Sequence, residues 1–137
     1  MQIPHGSTLD ADFMFTKLIV RDLEGAARFY TSVFGLIEMQ RVDAVIEGRA
    51  AKEVVYMPTM QGGPMFILLH YLDQASASAG ESVLGFAASD VDACLARVEQ
   101  FGGTVVDAPK DLPEGMLRYA FVRDPEGHLV QISARMG

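Results

Sequence analysis

Apolar and polar positions along this chain fall into two similar halves. Phe15-Thr-Lys-Leu-Ile-Val-Arg-Asp22 reads as a strand that ends in an Asp placed to cap a helix. Leu23, Ala26, Ala27, Tyr30, Val33 and Phe34 then recur three and four residues apart, the spacing of one helix face. About half a chain later the pattern returns. Val83-Leu-Gly-Phe-Ala-Ala-Ser-Asp90 has the same shape, and Val91, Cys94, Leu95, Val98 and Phe101 mark a second helix face. Each capping Asp is followed by an apolar residue and an acid, Leu23-Glu24 and Val91-Asp92, which suits the positive end of a helix. Both helical stretches end in Phe-Gly, at Phe34-Gly35 and Phe101-Gly102, where Gly permits a left-handed C-cap.

Three strand-like segments follow each helix. In the first half they are Ile37 to Ile46, Ala51 to Met57 and Met65 to Leu72, separated by Gly48 and by Gln61-Gly62-Gly63-Pro64. In the second half they are Thr104 to Asp107, Leu117 to Arg123 and Leu129 to Ala134. The chain therefore reads as a single α+β domain over 1–137, with a βαβββ module at 13–73, an Ala/Ser-rich linker at 74–80 and a second βαβββ module at 81–135. One helix covers only one face of a four-stranded sheet, so the other face needs a partner. Pairing the two sheets around a cleft supplies it.

The last two strands flank Asp124-Pro125-Glu126-Gly127-His128. Physically this is a tight turn: Pro presets one φ, Asp bonds the backbone ahead of it, and Gly takes a left-handed conformation. An apolar strand, Asp-Pro-x-Gly-His and a final apolar strand resemble the closing hairpin of the glyoxalase, bleomycin-resistance and extradiol-dioxygenase group, the vicinal oxygen chelate superfamily. Phe29-Tyr30-Thr-Ser-Val-Phe-Gly35-Leu36 is likewise similar to that group's "FYxxxxGL" helix end. The resemblance covers residues 13 to 135 and implies paired βαβββ modules forming an eight-stranded sheet that encloses a cleft.

In metal-using members of that superfamily, His, Gln or Glu ligands stand on the first and last strand of each module. Carried over by position, the resemblance places them at Phe15, Leu68, Val83 and Gln131. Three of these side chains have no donor atom, so no metal cofactor is expected, although a divalent ion remains an open alternative. A basic residue stands four positions after the first ligand in the glutathione-using lyases. Here that position is Ile19, which argues against a glutathione adduct as substrate.

Strand alternation describes the expected cleft. Phe15, Lys17 and Ile19 share one face of their strand, with Leu18 and Val20 on the other. Phe66, Leu68 and His70 are expected to line the cleft, as are Val83, Gly85 and Ala87, and Leu129, Gln131 and Ser133. Such a lining is mostly apolar with a few polar groups, as in a small-molecule site. His70 and Lys17 are the candidates for a base if the protein is catalytic, whereas His128 reads as a structural residue of its turn. The stretch Ala108 to Gly115, with Pro109 and Pro113, is expected to be a loop over the cleft mouth.

Composition narrows the partners. The chain has 137 residues, half of them hydrophobic, with net charge −7 and a single cysteine. No basic stripe for nucleic acid and no membrane-length apolar run are visible. One cysteine forms no intrachain disulfide, and a cytoplasmic location is expected. The expected partners are a small-molecule ligand and a second copy of the chain in a homodimer. Two functions stay open: metal-free binding of an apolar or amphipathic molecule, as in bleomycin-resistance proteins, or a metal-dependent lyase, isomerase or dioxygenase with an atypical site.

Overall fold

The computed structural model describes residues 6, 10, 13–73, 82–111 and 118–134. In chain order the elements are β1 (Phe15–Ile19), α1 (Leu23–Phe34), β2 (Glu38–Ile46), β3 (Arg49–Tyr56), β4 (Met65–Tyr71), β5 (Val83–Ala88), α2 (Val91–Gln100), β6 (Thr104–Asp111), β7 (Arg118–Arg123) and β8 (Leu129–Ala134). The eight strands divide into two four-stranded sheets, ordered β1-β4-β3-β2 and β5-β8-β7-β6. The first strand of each module pairs in parallel with the last, and the remaining pairs are antiparallel. This is the α+β architecture of paired βαβββ modules that the repeat implies. The expected linker, 74–80, lies outside the described residues.

Several strand ends differ from expectation by a residue, and two shift further for local reasons. β3 begins at Arg49 because Glu47 (φ 51°) and Gly48 (φ 77°) are both left-handed, the geometry of a two-residue hairpin that lets both strands run to the turn. β6 continues to Asp111, so Ala108 to Asp111 is strand and not loop. Pro109 is tolerated because β6 is an edge strand and its register with β7 shifts between Asp107 and Lys110, so no ladder bond from Pro109 is needed. Residues 112–115 of the expected loop lie outside the described residues.

Both helices begin as their sequences dictate. The carboxylates of Asp22 and Asp90 accept from the backbone N–H groups of Gly25 and Ala93, each at 3.0 Å. Such a cap stabilises a helix by about 1 kcal/mol. α1 stops at left-handed Gly35, whose N–H reaches Thr31 O. α2 is capped at Phe101, and the left-handed residue is the next one, Gly102.

Among the described residues, an apolar core forms where both helices meet one face of the two sheets. Leu18, Val20, Val54, Tyr56 and Leu68 from the first sheet join Ala120, Val122, Val130 and Ile132 from the second, with Phe29, Tyr30, Val33, Cys94, Leu95 and Val98 from the helices. Aromatic rings knit the modules together. Phe34 stacks on Phe86 with centroids 4.0 Å apart, and Tyr30 contacts both Phe66 and Phe86.

Strand register overturns one expectation. In the parallel β1–β4 pair, Leu68 stands opposite Leu18 and Phe66 opposite Thr16. Paired residues share a face, and Leu18 faces the helices, so Phe66, Leu68 and His70 face the core and not the cleft. Leu68 is fully buried there. The helix-free face of β4 instead carries Ile67 and Leu69, opposite Lys17 and Ile19.

The Asp124–His128 turn clasps the second module to the first. Asp124 Oδ1 accepts from the backbone N–H groups of Glu126 and His128, both at 2.9 Å. Its Oδ2 accepts from the Tyr30 hydroxyl and from His128 Nδ1, both at 2.8 Å. His128 Nε2 donates to Ile19 O at 3.1 Å, and the Glu126 carboxylate accepts from the N–H groups of Arg21 and Asp22. Acceptors on both ring nitrogens favour the charged imidazolium form of His128 over the neutral ring.

The hydrogen bond to Asp124 raises the His128 pKa, against the effect of burial. Burial alone would push the Asp124 carboxyl up, but hydrogen bonds from His128 and Tyr30 outweigh it and hold it low. Burial, and then the nearby Asp124 charge, push the Tyr30 phenol well above its usual range. The sign of the linkage follows. The His128 contribution is complete below about pH 6.5 and is lost as pH rises through its elevated folded value. The Asp124 contribution is complete above about pH 3.9 and is lost as pH falls through its lowered one. Urea midpoints measured across pH are therefore expected to be highest between these limits. His128→Asn should remove most of the decline on the neutral-to-alkaline side, and an unchanged decline would show that other groups cause it.

Candidate functional site

The faces turned away from the helices are the candidate site. On the second sheet the register groups Val83, Gly85 and Ala87 with Leu129, Gln131 and Ser133, and with Tyr119 and Phe121 from β7. These residues are exposed or half-buried. A Cβ built on Gly85 would meet nothing within 4 Å, so this face is open. Gln131 Nε2 donates to Ser133 Oγ at 3.1 Å, two residues along the same face. Tyr119 and Phe121 rings meet edge-to-face. Arg118 points the other way, pairing with Asp92 and Asp111.

The first sheet presents a different surface. Phe15, Lys17 and Ile19 on β1 share it with Ile67 and Leu69 on β4 and with Ala51, Glu53 and Val55 on β3. Ala51, Val55, Ile67 and Leu69 are buried yet stand outside the helix-side core. At their centre the Glu53 carboxylate, 7% exposed, accepts from Lys17 Nζ at 2.5 Å. The ammonium also lies 5.3 Å from the Phe15 ring centroid, within range of a cation–π contact.

Lys17, the notable cleft residue in the sequence, thus has a partner that the sequence reading missed. Glu53 alternates with Ala51 and Val55 along a strand, a lone acid on an apolar face. That pattern was available, but assigning it to the same face as Lys17 requires the register of three strands.

The second candidate base, His70, is not brought to this surface. Its Nδ1 donates to Val20 O at 3.0 Å, on the helix side of β4. That hydrogen bond gives it a structural role at the β1–α1 junction.

Among the described residues, the side chains at the positions carried over from the superfamily do not make a donor set that fits a metal. The two sheets supply Phe15, Val83 and Gln131 at three of the superfamily positions. At the fourth, the corrected face of β4 offers Ile67 or Leu69 in place of Leu68, and all of these are hydrocarbon. No group of three or more His, Cys, Asp or Glu side chains suited to a metal occurs among the described residues. Divalent ions need several nitrogen, oxygen or sulfur donors at once.

Two pockets lie away from these polar groups. One, of about 140 Å³, sits at the start of α2 and is lined by Phe34, Ala87, Ser89, Asp90, Cys94 and Arg97. The other, of about 360 Å³, lies against the β2–β3 hairpin between Val45, Lys52 and Leu72. No helix among the described residues is long and apolar enough to cross a membrane.

Residues 12–132 match the family model described as Glyoxalase/Bleomycin resistance protein/Dioxygenase superfamily. Among solved structures, a glyoxalase family protein from Bacillus cereus superposes with a TM-score of 0.75 at 18% identity, covering 99% of this chain and 100% of that one. Glyoxalase I from Zea mays gives a TM-score of 0.76 at 18% identity, covering 91% of this chain but 45% of the maize protein. A glyoxalase/bleomycin resistance protein from Albidiferax ferrireducens T118 gives 0.65 at 25% identity, covering 90% and 98%. No curated protein matches the sequence.

Proposed function

The chain belongs to the glyoxalase/bleomycin resistance protein/dioxygenase superfamily, and from that premise we propose that it binds a small apolar or amphipathic molecule without a metal. The observation that supports this reading is the chemistry at the superfamily's ligand positions. Phe15, Val83 and the β4 residues are hydrocarbon, and Gln131 is turned to Ser133. Apolar side chains around a few polar groups are what a small-molecule binder needs. Hydrocarbon in place of ligands removes the means of polarising a substrate oxygen.

The same reading includes a homodimer in the cytoplasm. Phe15 and Val83 are 40% and 56% exposed on the helix-free faces, and a second copy of the chain would cover such surface.

The test has two arms on untagged protein purified without chelator. Metal content by inductively coupled plasma mass spectrometry is expected to be far below stoichiometric. Added nickel, zinc, iron or manganese should leave the melting temperature unchanged. In the second arm, 2-methylnaphthalene is expected to shift backbone amide resonances of residues on the helix-free faces. Near-stoichiometric metal would favour a metal-dependent lyase, isomerase or dioxygenase instead. Absence of any naphthalene binding would remove the binder reading.

A further inference from the structure

We propose that Lys17 and Glu53 form a polar anchor for a carboxamide-type group, an N–H beside a C=O, on an otherwise apolar ligand. This rests on the binding reading above and names the chemistry its ligand carries. The Glu53 side chain is 7% exposed, and among the described residues its carboxylate is engaged only through Oε2, by Lys17. Its Oε1 has no hydrogen-bond partner among the described residues. A buried carboxylate oxygen left in that state is costly, and such a group is normally satisfied. Lys17 in turn has three N–H donors and spends one on Glu53. Its side chain is 28% exposed, so it stands between the buried carboxylate and the surface.

Among the described residues the pair therefore offers an unengaged acceptor and unengaged donors side by side. Its net charge is zero, so an ionic ligand gains little from it: an anion is attracted by Lys17 and repelled by Glu53, and a cation the reverse. A neutral group with a donor next to an acceptor satisfies both at once, with its C=O on the ammonium and its N–H on Oε1. Around the pair the register places Phe15, Ile19, Val42 and Leu69, hydrocarbon suited to the rest of such a molecule. Neither residue stands at a superfamily ligand position, so the anchor is separate from any metal chemistry.

The probes are naphthalene-2-carboxamide, 2-naphthoate and 2-methylnaphthalene, titrated into the full chain and followed by amide resonance shifts. The carboxamide is expected to bind about tenfold or more tighter than 2-methylnaphthalene, as charge-assisted hydrogen bonds at a shielded site allow. Glu53→Gln, similar in shape, should erode that preference. Lys17→Met alone would strand a buried carboxylate and can fail to fold, so the double variant Lys17→Met/Glu53→Met is the decisive one. It should bind the two neutral probes within about twofold of each other. Three outcomes overturn the anchor. Equal binding of carboxamide and 2-methylnaphthalene by the unaltered protein would sink it while leaving the apolar binding reading intact. Tightest binding of 2-naphthoate would mean that Lys17 acts as a simple anion site. No binding of any probe would remove the anchor together with the reading it rests on.

Discussion

Asp124→Ala is expected to lower the free energy of unfolding by about 3–5 kcal/mol, measured by urea titration with linear extrapolation. Asp124 is 5% exposed and accepts four hydrogen bonds, from Tyr30, from the His128 ring and from two backbone N–H groups. Alanine leaves all four donors without partners and strands the His128 charge in a buried site. Each unsatisfied buried donor costs about 1–3 kcal/mol, more if charged, with partial relief from water or from deprotonation of the ring. Tyr30→Phe, which removes a single donor and keeps the aromatic packing, should cost only about 1–2 kcal/mol. Against a total stability of about 5–15 kcal/mol for a domain of ordinary size, the alanine variant is close to unfolding. A loss below about 1 kcal/mol would mean that the clasp is solvated and contributes little.

The second large effect tests the face assignment of β4. Leu68→Ala is expected to cost about 2–5 kcal/mol, because Leu68 is fully buried in the core on the helix side of its sheet and its removal leaves a cavity. His70→Ala, which breaks one hydrogen bond to Val20 O at a half-buried position, should cost about 1 kcal/mol. If Leu68 faced an open cleft, its truncation would resemble a surface change, within about 0.5 kcal/mol. Thermal or urea unfolding of the two variants side by side separates these cases.

The error at β4 shows where the sequence ceases to be informative. Met65-Phe-Ile-Leu-Leu-His-Tyr71 is apolar on both faces, so alternation carries no sign of which side meets the helices. The sign comes from pairing with β1, where Thr16 and Leu18 face opposite to Lys17 and Ile19. A one-residue difference in register exchanges the two faces entirely.

Elements with strong local signals were readable. The capping Asp residues, the three-and-four spacing of both helices and the Asp124–His128 turn each depend on residues within one or two turns of chain. Their repetition in both halves was enough to imply the fold. Glu53 was unreadable for the opposite reason. Its significance arises only when β1 and β3 are aligned through β4, a relation between residues 36 positions apart. Pro109 misled for a third reason. A proline normally ends a strand, but at a sheet edge with a shifted register it need not.

The clasp also bears on the order in which the molecule can be completed. Glu126 reaches back 105 residues to Arg21, His128 reaches 109 residues to Ile19, and Asp124 reaches 94 residues to Tyr30. During synthesis the first strand and helix emerge long before these partners exist. Until the last hairpin leaves the ribosome, the Tyr30 hydroxyl and the Ile19 carbonyl must be held by water. Contacts of such long range slow the final step of folding and couple both halves into one cooperative unit. Although the two modules share one strand order, the lock that finishes the structure belongs to neither of them alone but to the junction between them.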